Sequence, residues 1–217
     1  GNSGGALVDM NGELVGINTA IFSRSGGSIG IGFSIPSNMV NTVVASAKGG
    51  SNKIKRPWLG VELQDVTPDV ADSLGFARPE GTLIVKLHPE SPLLAAGLKR
   101  GDVIVGIDDR AIESAQEFGF RVGTAQIGET RIVEYRRGDR TFESRVKLIA
   151  APETIPRQET LVETRSPLLG VQIANLSPAV AEDVGMSSEA TGVVILDVKD
   201  DSAARLFLKG DVVFEIN

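Results

Sequence analysis

Ser3 lies in the run Gly1-Asn2-Ser3-Gly4-Gly5, a serine between small residues. Acyl transfer by a hydroxyl needs such surroundings. No bulky neighbour may block the approach of a carbonyl, and free backbone N–H groups must be ready for the oxyanion that develops. The same five residues satisfy Gly-x-Ser-x-Gly, the nucleophile elbow, in which the serine leads directly into a helix. They also fit an ordinary surface turn, a common fate of glycine and serine clusters. Residues 6–21 read ALVDMNGELVGINTAI, two β-rich runs joined by Asn11-Gly12. Both residues tolerate positive φ, so the pair predicts a two-residue hairpin turn. A serine followed by a hairpin is not on an elbow.

A serine nucleophile also needs a base within hydrogen-bond reach, itself oriented by a carboxylate. The single histidine, His88, precedes Pro89 far along the chain and reads as an exposed loop residue. The chain therefore holds no triad of its own and is expected to be inactive by itself. It starts with glycine and the motif, without Met or a leader, and reads as truncated.

The elements that must position Ser3 come next. Phe22–Ser28 is a glycine and serine loop, and Ile29–Ile35 a strand whose glycines allow close approach of a backbone or ligand. Ser37 is placed to cap a helix reaching about Ala47, with Met39, Val40, Val43, Val44 and Ala47 on its buried face. The polar run Lys48–Lys53 is a linker.

Beyond it the chain repeats. Pro57-Trp58-Leu59-Gly60-Val61 recurs as Pro167-Leu168-Leu169-Gly170-Val171, and Thr67-Pro68 as Ser177-Pro178, each a helix start closed by Gly75 or Gly185. Gly81–Val85 matches Gly192–Leu196, Ser91 and Ser202 each precede a short helix, and Gly101-Asp102-Val103 matches Gly210-Asp211-Val212. The second copy is two residues shorter between Ser202 and Gly210 than the first between Ser91 and Gly101. The first copy continues through a helix at about 114–124 and strands around 131–136 and 140–148, with Gly138-Asp139 at their turn. These boundaries give a domain over 1–48, a linker over 49–56, a repeat unit over 57–150, a second linker over 151–165 and a partial second unit over 166–217.

Composition narrows the function classes. With 41% apolar and 23% charged residues the chain is ordinary globular protein, long enough for about one to three domains. A formal charge of -6 argues against nucleic acid as partner. Zero cysteines exclude disulfides, thiolate metal sites and a cysteine nucleophile. No apolar stretch reaches the ~18 residues of a membrane span.

GNSGGALVDMNGELVGINTAI followed by GIGFSIPSNMV, together with RPWLGV and SPLLAAGLKRGDVIVGID, resembles the HtrA/Deg periplasmic serine proteases, the DegP/DegQ-like Do group above all. The resemblance implies a mainly β fold with short helices: the C-terminal half of a chymotrypsin-like β-barrel protease domain, then one complete and one partial PDZ domain. It implies Ser3 as nucleophile, the N–H groups of Gly1 and Ser3 as oxyanion hole, and Ile17, Asn18 and Thr19 beside the substrate backbone. Ile31, Gly32 and Phe33 would line a small apolar specificity pocket, and Phe22–Ser28 would be a loop that orders on activation. No cofactor or metal is implied. In a PDZ fold an extended peptide adds to a sheet edge, its carboxylate held by N–H groups of a glycine loop. Trp58, Leu59, Gly60 and Val61 match that loop, with Ala115, Phe118 and Val122 on the opposing helix and Arg56 read as a solvated cation. Leu168, Leu169, Gly170 and Val171 match it in the second copy. The implied protein is an ATP-independent, trimeric or larger endopeptidase acting on unfolded polypeptides and their C-termini. The alternative is a non-catalytic, PDZ peptide-binding or chaperone-like protein.

Overall fold

The computed structural model describes residues 3–21, 32–48, 55–199 and 206–215. The first of these segments form a three-stranded antiparallel sheet, β1 (Ala6–Val8), β2 (Leu14–Ile21) and β3 (Gly32–Pro36), in the order β1-β2-β3, followed by α1 (Ser37–Lys48). Gly16 permits the close pairing of β2 and β3, because a Cβ there would stand 2.8 Å from the Ile35 carbonyl oxygen.

The hairpin forms, but its turn is not the predicted two-residue type. Asp9 accepts from the Gly12 N–H at 3.1 Å and donates to Glu13 at 3.0 Å, enclosing three residues. Only Gly12 adopts positive φ, +80°, the pattern of a right-handed turn closed by a glycine bulge. The Asp9 carboxylate selects it: Oδ1 accepts the N–H groups of Asn11 and Glu13 at 2.9 and 2.8 Å.

α1 begins at Ser37 itself, so this residue is inside the helix and not its cap. Met39 and Val40 are half-buried, whereas Val43 and Val44 are exposed, against the predicted buried face. Leu7, Val8, Leu14 and Val15 are exposed as well. A three-stranded sheet with one helix buries too little to cover its own apolar side chains. The side chain of Ala47 lies outside the described residues.

The first repeat contains β4 (Val61–Asp65), α2 (Pro68–Leu74), β5 (Thr82–Leu87), α3 (Pro92–Ala95), β6 (Val103–Ile107), β7 (Arg110–Ala111), α4 (Ala115–Gly123), β8 (Thr130–Arg137) and β9 (Arg140–Lys147). Its sheet runs β4-β5-β6-β8-β9, with β7 paired to β6. Ile84, Leu93, Leu98, Ile104, Val133 and Val146 are buried at its centre. The link from β6 to β7 is a two-residue turn in which Asp108 and Asp109 both have positive φ, 50° and 59°. Asp108 Oδ1 accepts the Ile132 N–H at 3.0 Å and Oδ2 pairs with Arg131 at 2.9 Å, which holds this unusual backbone.

The second repeat contains β10 (Thr160–Leu161), β11 (Val171–Asn175), α5 (Pro178–Val184), β12 (Val193–Val198) and β13 (Val212–Val213), in the sheet order β10-β11-β12-β13. Its local physics duplicates the first. Thr67 and Ser177 each accept an N–H from the residue three places on, and Gly75 and Gly185 close their helices in the left-handed region at φ 71° and 74°. Asp102 Oδ2 accepts the Lys99 N–H at 2.7 Å, as Asp211 Oδ2 accepts the Leu208 N–H at 2.8 Å. Residues 200–205, where the second copy shortens, lie outside the described residues. The segment predicted as a linker, 151–165, is not a free tether here, since it supplies β10.

Candidate catalytic serine and peptide-binding edges

Ser3 is exposed on the turn that enters β1. Gly4, at φ +83°, sends its N–H to the Asn18 carbonyl at 2.8 Å, and the Asn18 N–H returns to Gly5 at 2.9 Å. These bonds lay the serine turn along β2. Ser3 Oγ donates to the Thr19 carbonyl at 2.9 Å. Thr19 falls where the register of β2 with β3 shifts, between Asn18↔Ser34 and Ala20↔Phe33. Asn18 is itself held by Ser34, whose Oγ donates to Oδ1 at 2.7 Å.

The fold thus brings Ser3, Asn18 and Thr19 together. Ile17 is half-buried between Ala6 and Ile35, and Gly32 and Phe33 pair with Ile21 and Ala20 at the far end of β3. Gly1, Ile31 and the loop Phe22–Ser28 lie outside the described residues. A hydroxyl that donates to a carbonyl keeps its proton and is a weak nucleophile, so attack from Ser3 needs a base to take that place.

His88 is half-buried, not the exposed loop residue that Pro89 suggests. Its ring meets Trp58 edge-on at 5.2 Å, its Nδ1 accepts the Glu90 N–H at 3.0 Å, and its own N–H donates to the Gly60 carbonyl at 2.8 Å. It is a support for the glycine loop.

That loop is fixed from beneath. Trp58 is buried, sends its backbone N–H to Ile149 at 2.8 Å, and donates its indole Nε1–H to Ser188 Oγ of the second repeat at 2.9 Å. Gly60 has φ +56° and lies against the indole, so that a Cβ there would stand 2.5 Å from a ring carbon. Ser91 Oγ donates to the Leu59 carbonyl at 2.6 Å. With carbonyls tied inward, the N–H groups of Leu59 and Gly60 precede the ladder that starts at Val61. Among the described residues β4 is the terminal strand of its sheet, leaving an edge at which an extended chain can add.

Phe118 and Val122 are fully buried residues of α4, while Ala115 is half-buried at its start, its N–H donating to Asp65 Oδ1 at 2.6 Å. The exposed apolar residue of that helix is Phe120. Arg56 is exposed.

Several supports escaped a reading of residue types. Ser91 was legible as a helix cap that recurs as Ser202, but its bond to Leu59 spans 32 residues. His88 has no counterpart by type, because Lys199 makes the same backbone bond to Gly170 in the second copy. Among the described residues no group of three His, Asp or Glu side chains could hold a metal ion, and no helix is long and apolar enough to cross a membrane.

The trypsin family profile matches residues 1–44 and the PDZ-domain profile residues 57–148. A probable periplasmic serine endoprotease, DegP-like, of Brucella suis biovar 1 (strain 1330) is 35% identical over 220 residues, covering 100% of this chain and 42% of the relative. Its namesake in Pseudomonas putida (strain W619) is 35% identical over 224 residues, covering 100% of this chain and 46% of the relative. A solved structure, the HtrA-type protease AlgW with decapeptide, shares 38% identity at a TM-score of 0.46, covering 70% of this chain and 46% of that one. The chain spans less than half the length of these curated relatives. Serine turn, hairpin and duplicated glycine-loop modules, joined to end-to-end similarity with those endoproteases, show that the chain belongs to the HtrA/Deg family.

Proposed function

We propose that the chain carries the nucleophile and the peptide-binding modules of an ATP-independent serine endopeptidase of the bacterial periplasm, which degrades unfolded or misfolded envelope proteins. The observation that carries this reading is Ser3, exposed on a glycine turn with Oγ against the Thr19 carbonyl of β2. Its support is the trypsin-profile match over residues 1–44 and the periplasmic endoproteases among the relatives. In this reading the N–H groups of Gly1 and Ser3 stabilise the oxyanion, Ile17–Thr19 run beside the substrate, and Ile31, Gly32 and Phe33 line the specificity pocket. The base and its orienting carboxylate come from residues outside this chain.

The domains run 1–48, 57–150 and 166–217, and the intact protein assembles as a homotrimer or larger. In the first PDZ unit the N–H groups of Leu59, Gly60 and Val61 receive a peptide's terminal carboxylate while its backbone extends β4. Trp58 holds the loop from below. In the intact protein, Ser3→Ala lowers hydrolysis of carboxymethylated casein by about 1,000-fold or more. Preference for acid over amide C-termini persists in that variant. Retained hydrolysis sinks the nucleophile assignment, and equal affinity for acid and amide sinks carboxylate capture.

A further inference from the structure

The two repeats differ at the edge that matters for peptide capture. Among the described residues β4 ends its sheet, whereas its counterpart β11 is flanked by β10, drawn from the segment between the repeats. β10 runs antiparallel to β11, with Thr160 opposite Ile173 and Leu161 opposite Gln172. The pairing continues beyond the strand. The Val162 N–H donates to the Val171 carbonyl at 2.9 Å, and the Gly170 N–H donates to the Val162 carbonyl at 2.8 Å. Gly170 is the glycine of the second copy's loop, the counterpart of Gly60, and it too has positive φ, 84°.

A peptide that adds to such an edge exchanges main-chain bonds with the strand and leaves its terminal carboxylate oxygen on the loop N–H groups. Residues 157–162 do this within the chain. They run toward the loop, as a C-terminus would, and the Val162 carbonyl oxygen takes the Gly170 N–H. Upstream, the Asn175 N–H donates to the Arg157 carbonyl at 2.8 Å. The Arg157 guanidinium is clamped by Asp183 of α5 at 2.8 Å, Glu153 at 3.0 Å and Glu159 at 3.3 Å.

We propose that residues 157–162 are an internal pseudo-ligand of the second repeat, so that a peptide C-terminus reaches β11 only by displacing them and the first repeat is the open site. The inference rests on the carboxylate-capture reading given above. A tethered strand competes at an effective concentration on the order of millimolar. A free peptide present at micromolar concentration loses to it.

The test uses the intact chain, the Arg157→Ala and Val162→Pro variants, and a hexapeptide ending in leucine, as free acid and as amide. Arg157→Ala removes the clamp, and Val162→Pro removes the N–H that bonds Val171. In the parent, amide resonances of residues 59–63 are expected to shift with the acid peptide while those of 170–173 do not. In the variants, exchange of the Gly170 amide accelerates by about tenfold or more, and 170–173 become responsive to the acid at concentrations at least about tenfold lower than in the parent. Arg157→Ala decides the outcome if proline at 162 disturbs the fold. The proposal is overturned if 170–173 respond in the parent at the same peptide concentration as 59–63. It is also overturned if they stay silent once Gly170 exchanges freely. A parent chain whose residues 59–63 respond equally to acid and amide, or to neither, overturns the carboxylate reading and this inference with it.

Discussion

The Trp58 indole Nε1–H donates to Ser188 Oγ at 2.9 Å across 130 residues, tying the base of the first repeat's glycine loop to the second repeat. Ser188 is presented by a turn just after α5, closed by the Ala190 N–H on the Ser187 carbonyl at 2.9 Å. The neighbouring Glu189 pairs with Lys86 at 2.7 Å, but both side chains are largely exposed, so the indole bond is the stronger tie. The repeats also differ in length here, Gly81 following Gly75 by six residues and Gly192 following Gly185 by seven.

Ser188→Ala is expected to loosen this contact. The indole N–H loses its partner at a cost of about 1 kcal/mol. Trp58 is the chain's one tryptophan, so its fluorescence reports the change directly. Acrylamide quenching should rise in the variant, and quenching equal to the parent's shows that the contact is not kept in solution.

Gly60→Ala should damage the first carboxylate site. The new Cβ meets the Trp58 ring at 2.5 Å on a backbone at φ +56°. Left-handed backbone costs a non-glycine residue about 1–2 kcal/mol before any clash is counted. We expect affinity for the acid hexapeptide to fall by about tenfold or more. Gly12→Ala is the control, since Gly12 also has positive φ, +80°, but no atom lies within 4 Å of its Cβ position. Its fold loses some stability and its peptide affinity stays. Equal peptide affinity in Gly60→Ala and the parent removes the loop from the binding site.

Arg137 grips the buried Asp102 carboxylate with two bonds of 2.7 Å, Nε to Oδ1 and Nη2 to Oδ2. The bond to Asp102 raises the guanidinium above its ordinary value, so this contribution is complete below the unfolded value and is lost only as pH climbs through the still higher folded one. Arg137→Met leaves a buried carboxylate without its counter-charge, its remaining bond being the Lys99 N–H. Half-exposure of the arginine moderates the cost to about 2–3 kcal/mol, read as a lower urea midpoint for the first repeat. An unchanged midpoint means that water replaces the guanidinium without penalty.

Asp9 supplies the acid-sensitive element. Its carboxyl is held below the ordinary value of 3.8, chiefly by the Glu13 N–H, with the bonds from Asn11 adding to this and desolvation opposing it. The folded value lies below the unfolded one, so the turn's support is present above pH 3.8 and is lost as pH falls through the depressed value. Amide exchange at Asn11 and Glu13 should therefore accelerate, relative to an unstructured peptide, in that acid window. Asp9→Asn should flatten the dependence. A parent profile identical to the variant's rejects the role of this carboxylate.

The features readable in the chain were those that residues a few places apart decide. Hydroxyl caps at Thr67 and Ser177, helix-closing Gly75 and Gly185, and the Gly-Asp turns at 101 and 210 recur in sequence because each is satisfied by neighbouring backbone. The serine turn with its hairpin is local in the same sense, although the carboxylate of Asp9 chose a turn type that Asn11-Gly12 does not announce. Tertiary structure decided which edges are open. The same Leu-Gly-Val triplet leads into β4 and β11, yet among the described residues one ends its sheet and the other is covered by Thr160–Val162. Backbone N–H and C=O groups are the same in every residue, so the partner they take depends on where the chain is led and not on side-chain type. For the same reason Trp58 reads as a loop residue in sequence and acts as a buried support, its partners Ile149 and Ser188 lying far along the chain.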